Sequence, residues 1–246
     1  MEKIALITGA AGGLGRALAN RLAPEGWHLV VVSRDAARLK AAFAEAHLQI
    51  EADCSTPVGV RQIFAALKER AVQPTALAHC VGNIRLGALH RMTEADFNDC
   101  LSANLVSAFH TLAGFVGSLR EARCPGAAVF VSSAAARIGT PNHEAVAAAK
   151  AGLEGLVRGA AASYAGAGIR INAVAPGIME TPAAAAIIGN PAAREGAARQ
   201  YPLPGIGDPG ELAELMAWLL SEKAARVTGQ VWSMDGGFSS IRPLVK

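Results

Sequence analysis

Residues 4–15 read "IALITGAAGGLG", and this stretch decides the fold. Its first half, Ile4 to Thr8, is a short run of apolar and β-branched residues, the pattern of a buried strand. The chain then turns glycine-rich at Gly9, Gly13 and Gly15 and passes straight into "GRALANRLAPEG", where apolar residues recur at helical spacing. A strand that runs through a tight turn into a helix leaves the first helical N–H groups without partners, at the positive end of the helix dipole. A diphosphate fits there. Gly9 permits the sharp turn, Gly13 the close approach of a ligand, and Gly15 the packing of helix on strand. Thr8, which closes the strand, and Leu14, between the last two glycines, join them as candidate nucleotide contacts.

Outward from this unit, "HLVVVS" (28–33), "LQIEAD" (48–53), "TALAHCVG" (75–82), "AAVFVSS" (127–133), "IRINAVA" (169–175) and "GQVWSM" (229–234) predict strands. Between them, helical patterns cover "DAARLKAAFAEA" (35–46), "VRQIFAALKER" (60–70), a long region from 93 to 120, "HEAVAAAKAGLEGLVRGAAASYA" (143–165) and "PGELAELMAWLLS" (209–221). Asp35 and Asn142 stand where they would cap two of these helices. Wholly apolar strands alternating with helices argue for a parallel sheet covered on both faces. No composition break divides the chain, so residues 1–246 are read as one α/β domain, a Rossmann-type doubly wound parallel sheet with helices on both faces.

Composition narrows the function. Hydrophobic residues at 52% and charged ones at 17% supply a core and exclude a disordered chain. Net charge is +3 with no basic stripe, which argues against nucleic acid as partner. Cys54, Cys80, Cys100 and Cys124 are far apart with no C-x-x-C, so they read as small buried residues in a reducing compartment. His79, His90 and His110 lack ligand spacing with any cysteine or aspartate cluster, and no metal is expected. The start "MEKIALITGAAGGLG" turns glycine-rich too early for a secretory leader, and no apolar run reaches the ~18 residues that span a bilayer. The expectation is a cytoplasmic protein with no membrane partner.

Sheets of this kind bind ligands beyond the carboxyl ends of their strands. The second strand ends at Ser33 and Arg34, a hydroxyl and a guanidinium, where a carboxylate would select NAD by accepting from the ribose 2′-OH. These groups suit a 2′-phosphate, so NADP(H) is favoured over NAD(H). Asp35 is assigned to capping the next helix.

In these features the chain resembles the short-chain dehydrogenase/reductase family from end to end. The residues that carry the resemblance are the T-G-x-x-x-G-x-G loop (Thr8 to Gly15), Asp53 after the third strand, Asn104, Ser133, Lys150, "NAVAPGIMETP" (172–182) and "VTGQVWSMDGG" (227–237). The resemblance implies adenine contacts from Asp53 and its neighbour Cys54, a cofactor contact at Gly82, and nicotinamide contacts from Pro176, Gly177 and Thr181. It further implies that Ser133 binds the substrate oxygen, Lys150 holds the nicotinamide ribose, and Asn104 anchors a water in a proton relay. A small-molecule substrate and a homotetramer or dimer are implied as well.

Two departures stand out. The family's N-N-A-G after strand four is "HCVG" here, so the asparagines that brace neighbouring strands are missing. The family's Y-x-x-x-K tyrosine, four residues before Lys150, is Val146. Valine neither gives nor takes a proton, and general acid–base catalysis contributes about 10²–10⁴-fold.

Three readings remain open. Hydride transfer persists with another proton donor: His143, seven residues before Lys150, or a water in the Asn104–Lys150 relay. Alternatively the domain is a silent dinucleotide receptor, or it reduces an activated C=C bond or an imine. His143 also reads as an ordinary helix-start residue. Tyr164 lies too far along its helix to replace the phenol, and Tyr201 reads as a packed loop aromatic. The segment from Met179 to Pro204 reads as a mobile apolar lid that carries two arginines.

Overall fold

The structure is a computed structural model, and it describes residues 2–43 and 47–242. Its strands are β1 (Ile4–Thr8), β2 (His28–Ser33), β3 (Leu48–Glu51), β4 (Ala76–His79), β5 (Gly126–Val131), β6 (Ile169–Pro176) and β7 (Val231–Met234). They form one sheet in the order β3-β2-β1-β4-β5-β6-β7, with every pairing parallel. The strand order reverses between β1 and β4, the switch point at which doubly wound sheets open a crevice.

Successive side chains of a strand point to opposite faces, and each face here has its own core. Ile4, Leu6, Val30, Val32, Leu77 and Phe130 pack with helices α3 (Pro57–Glu69), α5 (Ser107–Ala122) and α6 (Glu144–Tyr164). Ala5, Ile7, Leu29, Val31, Ala78 and Val129 pack with α1 (Gly13–Leu22), α2 (Ala36–Ala42) and α9 (Pro209–Leu220). Burial on both sides explains why the strands are apolar at every position.

Asp35 caps α2 by accepting from the Arg38 N–H at 2.9 Å. This helix ends at Ala42, short of the expected 46, and residues 44–46 lie outside the described residues. The expected helix from 93 to 120 is three pieces: α4 (Glu94–Leu101), a π turn (Ser102–Val106) and α5. Together Glu94–Ala122 is long and apolar enough to cross a membrane, contrary to the expectation that no segment would be. Its inner face, from Cys100 and Ser107 to Phe115 and Leu119, is buried in the domain, as in a core helix.

Asn142 does not cap α6. It adopts a left-handed conformation (φ 62°), and His143 takes the N-cap position without a side-chain capping bond. Asparagine tolerates that backbone better than most residues, so it serves the turn that precedes the helix. The lid segment carries α7 (Ala185–Ile188) and α8 (Pro191–Ala198), the latter capped by Asn190.

Candidate active site at the carboxyl ends of the strands

Gly9 has φ +69°, and a Cβ there would stand 2.7 Å from the carbonyl of Cys80 on the neighbouring β4 segment. A Cβ on Gly15 would stand 2.6 Å from the Gly9 oxygen. Both positions need glycine because backbone occupies the space a side chain would take. Gly12 is the N-cap of α1, and no side chain caps the helix, so its first-turn amides face outward. Gly13 faces Thr181 across the cleft, where a Cβ would lie 2.9 Å from the threonine methyl. Leu14 is half-buried on the same turn. An uncapped helix start behind a turn floored by backbone fits a dinucleotide diphosphate.

At the far end of this groove, the Ser33 hydroxyl accepts from the Asp35 N–H at 3.2 Å. Arg34 is exposed and makes no ion pair or hydrogen bond among the described residues. Asp53 uses Oδ1 for the Ser55 amide and hydroxyl, at 2.9 and 2.7 Å, so its other oxygen faces no partner among the described residues. The Cys54 side chain turns into the core, where burial pushes its thiol up to about 11. Its backbone is what a cofactor could meet.

On the other side of β1, Pro176 ends β6 in the core. Gly177 gives room to the Tyr201 ring, 2.7 Å from where a Cβ would sit, and the Tyr201 hydroxyl accepts from the Ile178 N–H at 2.7 Å. Tyr201 thus fastens the lid to the segment that carries Thr181.

Ser132 and Ser133 divide as strand alternation requires. Ser132 is buried and donates to Glu154 at 2.9 Å, whereas Ser133 is half-buried and accepts from the Ala135 N–H at 3.2 Å, leaving its own proton uncommitted. Lys150 is 7% exposed and donates to the Val131 carbonyl at 2.7 Å. It has no carboxylate partner among the described residues, and desolvation lowers its pKa to about 8, against the weaker opposing influence of Cys100 and Cys80.

Asn104 sits in the π turn. Its amide donates to Asn83 O and Oδ1 and to Cys100 O, at 3.1, 2.9 and 2.9 Å. Its Oδ1 is buried without a partner among the described residues. Gly82 separates this oxygen from Lys150: a Cβ there would lie 2.7 Å from Oδ1 and 3.4 Å from Nζ. An unpaired buried acceptor beside an ammonium marks a place for a bridging hydroxyl or water.

Val146 is 5% exposed and packs with Cys100, Ala145, Met92 and Phe97. The corner where a phenol is expected is therefore lined by apolar groups and a thiol. His143 stands two turns before Lys150, half-buried, with Nδ1–H donating to the Pro141 carbonyl at 2.8 Å. The two lid arginines are both paired, Arg194 with Glu180 and Arg199 with Glu195. Among the described residues no cluster of His, Cys, Asp or Glu could hold a metal. A groove of about 1230 Å³ lies at the opposite end of the sheet, around Trp27, Arg170 and Trp218. Arg170 there is committed to the carbonyls of Leu219, Ser221 and Val227.

Motif reading missed His79. The bracing asparagines are absent, and in the first of their places His79, 1% exposed, bridges Thr8 at 2.8 Å and Ser107 at 3.0 Å. A histidine in the first place of N-N-A-G was the available signal.

The fold and this groove define a dinucleotide-binding oxidoreductase. A family model described as enoyl-(acyl carrier protein) reductase matches residues 9–239. The chain is 34% identical over 250 residues to an A-factor type γ-butyrolactone 1′-reductase of Streptomyces virginiae, covering 98% of this chain and 96% of that protein. It is 30% identical over 237 residues to the 3-oxoacyl-[acyl-carrier-protein] reductase MabA of Mycobacterium bovis, covering 96% and 93%. The solved structure of ElxO with NADP bound superposes with a TM-score of 0.90 at 26% identity, over 98% of this chain and all of that one (100%). The chain belongs to the short-chain dehydrogenase/reductase family and is an NAD(P)-dependent oxidoreductase of that type.

Proposed function

We propose that the protein uses NADP(H) and exchanges hydride with a small carbonyl or alcohol whose oxygen is held by Ser133. The observation that carries this reading is Lys150, buried on the Val131 carbonyl two residues before Ser133 and standing across Gly82 from the Asn104 Oδ1. The bound nicotinamide supplies the hydride chemistry. The chain supplies the rest. First-turn amides of α1 hold the diphosphate, Asp53 and the Cys54 backbone meet the adenine, and Ser33 with Arg34 receives a 2′-phosphate. Lys150 donates to the ribose, while the Pro176–Thr181 segment orients the nicotinamide carboxamide. ElxO, a protein of the same fold, holds NADP, which supports the cofactor assignment.

The Ser133 proton is free to bond the substrate oxygen, where charge develops as hydride adds. Protonation of that oxygen runs through water held between the Asn104 Oδ1 acceptor and the Lys150 ammonium. His143, with one ring nitrogen engaged by Pro141, is the competing donor.

The apolar packing around Val146 favours a second reading, reduction of an activated C=C bond. There hydride would go to the β carbon and the resulting enolate would take a proton from water at the α carbon, so a side-chain acid beside the oxygen is less critical than for an alkoxide. The family description of an enoyl reductase supports it.

A cytoplasmic location and a homo-oligomer belong to the same proposal. Phe109 is 51% exposed on α5, whose outer face thus offers apolar surface to a second copy. Turnover of NADPH deuterated at C4, with a panel of ketones, enones and imines, tests the reading. Deuterium in one product class identifies the substrate type, and no transfer to any class rejects the hydride-transfer reading. Unchanged turnover in His143→Ala leaves the relay water as donor.

A further inference from the structure

His79 lies at the end of β4, between the end of β1 and the π turn that carries Asn104. Its Nδ1 is 2.8 Å from Thr8 Oγ1, and its Nε2 is 3.0 Å from Ser107 Oγ. The Ser107 hydroxyl in turn lies 2.7 Å from the carbonyl of Ala103, inside the π turn. A carbonyl only accepts, so the single Ser107 proton goes to Ala103. Ser107 Oγ must then accept from His79, which places the imidazole proton on Nε2 and makes Nδ1 an acceptor for the Thr8 hydroxyl. One assignment satisfies all three contacts, and it runs one way: Thr8 to His79 to Ser107 to Ala103.

We propose that His79 is a positioning residue, locking the phosphate-binding turn and the Asn104 turn into one register through this chain. Thr8 leads directly into Gly9 at one end. At the other, Ala103 precedes Asn104, whose Oδ1, without a partner among the described residues, stands across Gly82 from the Lys150 ammonium. Phe130 covers the imidazole at a ring distance of 5.6 Å. Lys150 is the charged group acting on it, and together with burial it holds the ring neutral at an ordinary pH.

The role rests on the proposed hydride transfer for its catalytic half, while the hydrogen-bond chain stands apart from it. Two variants each cut one arm. Ser107→Ala cuts the helix arm: hydride transfer falls on the order of 10²-fold, as for a misplaced reacting geometry, with NADPH affinity unchanged. Thr8→Val cuts the strand arm and weakens NADPH by about tenfold, the size of one lost hydrogen bond. His79→Asn is too short to reach both neighbours and therefore loses one function while retaining the other. ¹⁵N NMR of the wild-type imidazole shows Nε2 protonated, Nδ1 bare, and no titration from pH 5 to pH 9.

An Nδ1-protonated ring, or a ring that titrates near its ordinary value, overturns the assignment. So does a set of variants in which melting temperatures fall while affinity and transfer do not separate. If the wild type neither binds NADPH nor transfers hydride, the functional reading fails while the NMR result still judges the chain.

Discussion

Val146 and Lys150 stand one helical turn apart on the same face of α6, both buried, at 5% and 7% exposure. In the proposed reading these two positions are those of the family's proton donor and its lysine partner. In this chain the lysine is in place and its neighbour is a hydrocarbon. Replacing Val146 with Tyr restores a phenol beside an ammonium, and ketone reduction rises by about 10²–10⁴-fold, the usual contribution of a placed acid. Initial rates of both proteins on one ketone panel check this. A variant that binds NADPH yet gains no rate shows that the site lacks more than an acid.

Lys150 makes stability depend on pH in the alkaline range. Burial lowers its folded pKa from 10.5 to about 8, so between these values the unfolded chain holds the proton that the folded chain has released. Stability then rises with pH across that window, and the cost of burying the ammonium is fully present below it. The full span is on the order of 3 kcal/mol. Cys80 opposes it, because burial raises the thiol to about 12 and stability falls as unfolded thiols ionise. Denaturant unfolding of wild type and Lys150→Met from pH 7 to 11 separates the two. The difference between the proteins climbs from about pH 8 if Lys150 is buried as seen.

His79 acts at the acid end. Desolvation, aided by Lys150, lowers its pKa from 6.5 to about 3, so the folded form excludes a proton that the unfolded chain accepts. Its contribution is complete above pH 6.5 and declines as pH falls toward 3. Replacement by Asn flattens this part of the stability profile, which chemical denaturation between pH 4 and pH 7 reads directly.

In the proposed reading Arg34 sets cofactor choice. It is exposed and without a partner among the described residues, just past the end of β2, where the proposal puts a 2′-phosphate. Arg34→Ala weakens NADPH by about 10- to 100-fold, the range for a hydrogen bond to a charged group, and leaves NADH unchanged. Equal losses for both cofactors place the 2′-phosphate elsewhere.

The strands were legible because parallel sheets leave no polar face, and Ile4–Thr8 or Gly126–Val131 can be nothing else. Asp35 was legible as a cap because its geometry is local. The π turn at Ser102–Val106 was not, since nothing in "SANLV" distinguishes it from α-helix, and its Asn104 amide reaches Cys100 and the distant Asn83. The contacts of His79 were not legible because they depend on Thr8 and Ser107, 71 residues before it and 28 after. The partners of the two lid arginines were not legible either, for Arg194 finds Glu180 on the neighbouring segment. Side chains that act through distant partners leave no periodic trace.

Calorimetric titration with NADPH and NADH, paired with thermal unfolding, probes the grip of the glycine turn most directly. Saturable NADPH binding is expected, with a stabilisation of about 2.7 kcal/mol at a hundredfold excess over Kd. Gly15→Ala, whose methyl would collide with the Gly9 carbonyl at 2.6 Å, abolishes it. A wild-type protein that gives no heat and no rise in melting temperature with either nucleotide contradicts the account.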